Sequence, residues 1–119
     1  MTAAIYHRKL ARVLDRMGGV YTLDDIFDRL ADGRMQSFAH GNSMLVTQLQ
    51  CFPRAKTLDF VAAVGDLEDW RPIHDDAVRF AEAHDISLLR AYGRRGWMPT
   101  IRDHGWKTLT VNQVYQKDL

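Results

Sequence analysis

The side chains whose types could move a proton, attack a carbonyl or hold a metal are His74-Asp75-Asp76, Asp59, Tyr92, His84, His104 and Cys51. A metal centre needs donors that converge on one point. Three consecutive helical residues face successive directions, so His74, Asp75 and Asp76 are not expected to meet there. Cys51 is the single cysteine, which excludes an internal disulfide and a Cys-based zinc site. It stands in an alternating apolar run, "MLVTQLQCF", and is expected to be a buried, inert thiol. His84 and His104 each follow a helical stretch near its C-terminal end, where a polar or positive group complements the helix dipole. The sequence has no G-x-S-x-G elbow, P-loop or dinucleotide fingerprint.

The segment "YGRRGWMPTIRDHGW", Tyr92 to Trp106, carries a different kind of chemistry. Trp97 and Trp106 bracket a short helical stretch that is too brief to hold itself by propensity, so burial of the aromatic rings is expected to pin it to a sheet. Arg90, Arg94, Arg95 and Arg102 gather positive charge at one end of the sheet, opposite the acids of "GDLEDW". An internal salt-bridge network and a docking surface both account for that arrangement, since Arg and Trp are favoured interface anchors. The candidate partner contacts are Arg94, Arg95, Trp97, Trp70 and Arg71. No catalytic, cofactor-binding or metal residue is assigned.

These residues have to be positioned by the elements around them. Residues 3–17 place Tyr6, Leu10, Val13, Leu14 and Met17 on one helical face before Gly18 and Gly19. Thr22 with Asp25 resembles a capping box opening a second helix through Leu30, with Ile26, Phe27 and Leu30 inward. The period then shortens to two. "MQSFA" and "MLVTQLQCF" read as a hairpin turning at Gly41-Asn42, and "TLDFVAAVG" as a central strand covered on both faces. "DLEDWRPIHDDAVRFAEAHD" is a helix with Ile73, Ala77, Phe80 and Ala81 buried, and "ISLLRAYG" a strand parallel to the previous one. The Trp97–Trp106 helix and a fifth strand, "WKTLTVNQVY", close the chain.

The fold class expected from this order is α/β, with a mixed, mostly antiparallel sheet, a central parallel strand pair and flanking helices. It forms one domain over residues 1–119, with N-terminal helices in 1–33 and a hairpin and β-α-β-α-β core in 35–119. A net charge of +1 argues against a polyelectrolyte role, so nucleic acid is not an expected partner. No apolar run reaches the roughly 20 residues that span a bilayer. The N-terminal stretch lacks the apolar core of a secretory signal, so a bacterial cytoplasm or a virion is the expected location.

The element order, with the ending "IRDHGWKTLTVNQVYQKDL", resembles the GNAT family of N-acetyltransferases over essentially the whole chain. In that family a short helix closes on Gly-Phe before the last strand, and here Gly105-Trp106 stands in that place. More narrowly, "FPRAKTLDF", "AVGDLEDW" and "GRRGWMPTIRDHGW...KDL" look like a group of short GNAT-like proteins encoded by tailed bacteriophages and prophages. The family resemblance implies acetyl-CoA bound where the central strand meets the next helix, by a Gln/Arg-x-x-Gly-x-Gly/Ala loop. Here that stretch is Gly65-Asp66-Leu67-Glu68-Asp69-Trp70-Arg71, with one glycine and three carboxylates. Like charges about 4 Å apart repel by roughly 1 kcal/mol even in water, enough to offset the pull of a helix N-terminus on an anion. The family's general-acid Tyr, four residues before the closing Gly, falls at Ile101, which has no proton to give. Tyr92 is a weakly motivated substitute, and Asp59 lies near the place where such enzymes put a carboxylate base. The resemblance therefore implies a non-enzymatic virion or assembly component that binds other phage proteins or itself. The alternatives are an active N-acetyltransferase using acetyl-CoA and a modulator of a host protein.

Overall fold

The computed structural model describes residues 3–91, 102–109 and 115–119. Two helices, α1 (Ala3–Arg16) and α2 (Leu23–Ala31), precede a hairpin of β1 (Met35–His40) and β2 (Ser43–Cys51). Then come β3 (Lys56–Val64), a 3-10 turn at Leu67–Asp69, α3 (Trp70–Ala83), β4 (Leu88–Ala91) and a 3-10 turn at Arg102–His104. The sheet order is β1-β2-β3-β4. The first two pairings are antiparallel, and β3–β4 is parallel across the α3 crossover. This is the α/β architecture expected from the sequence, with a mixed sheet and one parallel pair.

Local chemistry sets the element ends. Thr22 closes a reciprocal capping box: its backbone N–H donates to Asp25 Oδ2 at 2.9 Å, and its Oγ1 accepts from the Asp25 N–H at 3.2 Å. The backbone hydrogen bond from Thr22 holds the Asp25 carboxyl below its usual range. At the hairpin, Gly41 takes φ +55°, a left-handed conformation that suits glycine in a two-residue turn.

The sheet has a core on each face. On one side Leu45, Leu58, Phe60, Trp70, Ile73 and Ala77 pack under α3. On the other, Leu10, Leu14, Ile26, Met35, Val46, Ala62 and Val64 pack under α1 and α2. β3 serves both cores, which strict alternation forbids because residues 58, 60, 62 and 64 would then share one face. The ladder resolves this with a bulge: Val46 pairs with Ala62 and Thr47 with Phe60, leaving Val61 as the extra residue. Leu58 and Phe60 thus face α3 while Ala62 and Val64 face α1.

Two expectations need correction, and two fall largely outside the described residues. Cys51 is exposed, because it pairs with Lys56 at the turn end of the ladder, where neither core takes a residue of β2. Neighbouring Leu49 and Phe52 are also open, 41% and 42% exposed. Phe27 lies at the edge of the α1–α2 contact, its ring 5.0 Å from that of His7. Residues 106–109 of the expected fifth strand form no described pairing, and residues 110–114 of it lie outside the described residues. Of the expected closing helix, only the turn at Arg102–His104 is described.

Leu58 has no exposed surface and sits where β3 meets α3. Leu58→Ala is expected to destabilise the fold by about 2–5 kcal/mol, read as a lowered midpoint in urea with an unchanged slope.

Candidate functional site

The junction between β3 and α3 is filled by the protein itself. Gly65 follows β3 at φ +115°, and a Cβ there would collide with Ser43 Oγ and the carbonyl oxygen of Asn42. Glycine is thus required so that the hairpin turn can lie against the junction. The Asp66 N–H donates to Ser43 Oγ at 2.7 Å. Asp69 stands at the N-cap of α3 but makes no side-chain bond to its own helix. Its Oδ2 instead accepts from the Asn42 N–H at 3.1 Å and lies 3.0 Å from Ser43 Oγ. The Ser43 hydroxyl is also 3.1 Å from the Asp66 carbonyl oxygen, and its single proton serves one of these two acceptors at a time. From the other side, Tyr6 of α1 donates to the Gly41 carbonyl at 2.8 Å. Asp69, at the head of α3, thus braces the hairpin rather than capping its own helix. Beneath the turn, a recess bounded by Ser43, Ala63, Gly65 and Trp70 measures about 20 Å³, room for one water.

A second constellation lies one helical turn further on. His74 is buried, on the face of α3 that also buries Trp70 and Ala77. Its Nε2 accepts from Trp106 Nε1 at 2.9 Å. Indole N–H is a donor only, so in the neutral imidazole the proton is on Nδ1. That Nδ1 lies 3.5 Å from Asp75 Oδ1, near enough for attraction but outside the geometry of a formed hydrogen bond. The His104 ring is 4.6 Å away, centroid to centroid. Burial, with the smaller effect of His104, outweighs the pull of Asp75 and lowers the pKa of His74.

The expectation that no His/Asp cluster converges is corrected here. His74, Asp75 and His104 place one candidate donor each within 4.8 Å of one another. A metal-bound imidazole, however, donates its second N–H to an acceptor. In His74 the second nitrogen accepts from Trp106, which keeps the proton on the nitrogen facing the other two side chains. As built, the trio is a proton-bearing cluster and does not have the donor set of a metal centre.

The remaining candidates fall as follows. Trp70, an expected partner contact, is a core residue at 7% exposure, its ring edge-on to Phe60 at 5.8 Å. The apolar stripe that buries Ile73 and Ala77 begins a turn earlier than the sequence pattern suggested and takes Trp70 with it. Arg71 is exposed. Arg94, Arg95, Trp97, Tyr92 and Ile101 lie outside the described residues. Among the described residues no ion pair joins Arg90 or Arg102 to Asp66, Glu68 or Asp69. The described part of β4 ends opposite Phe60, well short of those acids, and the Arg90 guanidinium lies over the Phe52 ring at 5.4 Å. Asp59 is buried: Oδ1 accepts from Thr57 Oγ1 at 2.7 Å, and Oδ2 has no hydrogen-bond partner. His84 sits at the C-cap of α3, with Nδ1 2.8 Å from the Phe80 carbonyl oxygen, as its position at a helix end implied. Trp106 packs on Phe60 at 5.2 Å, in keeping with the pinning role expected of it. The contact of Trp106 with His74 spans 32 residues and has no local sequence signal.

The fold is GNAT-like. A crystal structure of a probable acetyltransferase superposes with a TM-score of 0.70 at 6% identity, covering 98% of this chain and 91% of that one. A structure of a predicted acetyltransferase with acetyl-CoA from Clostridium acetobutylicum gives 0.64 at 12% identity, covering 93% and 89%. A Trypanosoma brucei acetyltransferase gives 0.64 at 12%, covering 95% and 92%. At such identities the likeness defines the fold alone. No family model matches the chain, and no curated protein does. Among the described residues no helix is long and apolar enough to cross a membrane.

Two outcomes test this geometry. Gly65→Ala is expected to cost more than about 1 kcal/mol, since it meets both a positive φ and the hairpin; denaturant titration measures it. His74 also makes stability depend on pH. Its folded pKa lies below the ordinary value of 6.5, so below that pH the unfolded chain binds more protons. Its contribution is complete above 6.5 and is lost as pH falls toward the folded pKa. His74→Phe is expected to flatten that slope in melting temperature against pH.

Proposed function

We propose that this chain is a non-enzymatic GNAT-like protein that works by binding other proteins, as a virion or assembly component of a tailed bacteriophage. The observation that carries the non-enzymatic part is the junction at Asp69. Where an acetyl-CoA pyrophosphate would need backbone donors, the Asp69 carboxylate is bound to the hairpin, and exposed Asp66 and Glu68 add two more negative charges. At an effective dielectric of about 20, each carboxylate within about 4 Å of a phosphate opposes it by roughly 4 kcal/mol, well above the gain from a helix N-terminus. The phage setting rests on the resemblance of "FPRAKTLDF", "AVGDLEDW" and "GRRGW". Exposed Arg71 on α3 and, on the opposite side of the sheet, exposed Arg8 and Arg12 on α1 are available to protein partners; Lys9 of α1 is half-buried.

A second reading, acetyl transfer, is supported by two features. β3 carries a bulge at Val61, an irregular backbone of the kind often found beside active sites. A structural neighbour was solved with acetyl-CoA.

Calorimetric titration with acetyl-CoA and CoA separates the readings. No saturable heat up to millimolar ligand, with the wild-type melting temperature unchanged, is the expected result. Micromolar binding that Arg71→Ala weakens would overturn the proposal.

A further inference from the structure

We propose that Trp106 and His74 form a proton-operated latch: neutral His74 holds the segment around Trp106 against α3, and protonation of His74 releases it. The basis is the direction of one hydrogen bond. Trp106 Nε1 can only donate, so the 2.9 Å contact requires a lone pair on His74 Nε2. In the imidazolium form both ring nitrogens carry hydrogen, and Nε2–H would face the indole N–H head-on. The bond cannot then exist, and a buried donor on His74 and the part-buried indole N–H lose their pairing. Burial already disfavours the charged ring. On protonation His74 would also lose the partner it has.

The surroundings set which way the balance tips. The titratable groups that face His74, among the described residues, are Asp75 of its own helix and His104 of the turn before Trp106. The other rings packed against it, Trp70 and Trp106, are neutral. Asp75 is half out in solvent at 3.5 Å and favours the charged form, while His104, once protonated, opposes it. Burial is the largest influence and favours the neutral form, so the latch is closed at neutral pH and opens only in acid. Release would uncover the Phe60 ring, on which Trp106 lies.

The latch is tested by following the three indole N–H signals by ¹⁵N NMR between about pH 7.5 and 5, with Trp106→Phe used to assign the Trp106 resonance. The expected result is a hydrogen-bonded Trp106 signal at neutral pH that moves to the position of a free indole, with a midpoint below 6.5. The backbone spectrum of β1–β3 stays native through this change. In Trp106→Phe the His74 ring titrates at higher pH than in the wild type, because no N–H opposes the second proton. His104→Gln keeps the transition and raises its midpoint. The proposal fails if the Trp106 signal stays fixed while His74 titrates, if the transition disappears in His104→Gln, or if it coincides with global unfolding.

Discussion

Everything in this structure depends on β3 being buried on both faces while its two halves belong to different cores. Leu58 and Phe60 are needed under α3, Ala62 and Val64 under α1 and α2, and a regular strand cannot supply both. The extra residue at Val61 switches the face between them. With the bulge in place, α3 can lie on one side of the sheet and the N-terminal helices on the other. The end of β3 is also brought under the hairpin turn. A strand with unbroken alternation would leave one of the two helical layers without a core to cover.

From the end of β3 the consequences continue into the site. Gly65 turns the chain so closely past Asn42 and Ser43 that no side chain fits, and Asp69 then becomes the brace between hairpin and helix. Tyr6 holds the same turn from α1. One tight turn is therefore gripped by both helical layers, which ties the two cores together at the top of the sheet. The place where a GNAT enzyme would hold an anion is here an internal joint, and that joint carries the non-enzymatic reading.

The Trp106–His74 contact is the corresponding joint for the C-terminal segment. It belongs to the α3 core through Phe60, and its polarity is fixed by a donor that cannot accept. Such a contact is stable only while the histidine is neutral, so the joint is sensitive to the protonation of a single buried ring. The hairpin brace differs: an ionised carboxylate is a strong acceptor for both donors it meets.

Periodicity alone was sufficient for α1, for α2 with its Thr22–Asp25 box, for the Gly41-Asn42 hairpin and for α3. Each of those signals is local, set by side chains three or four residues apart or by a turn of two residues. The crossover rule was sufficient to make β3 and β4 parallel. Burial was legible only where a partner layer exists. Cys51 and Phe27 have apolar patterns like their neighbours, but their exposure depends on where the helices stop covering the sheet. Trp70 looked like an interface anchor, and it is core because α3 begins at that residue and turns it onto Phe60. The bulge at Val61, the Asp69 brace and the His74–Trp106 contact join residues 13 to 32 positions apart in the chain, and no spacing rule reports on such pairs. Only the packing of the sheet against its helices brings them together, because hydrogen bonds between distant residues form wherever folding leaves a buried donor facing an acceptor.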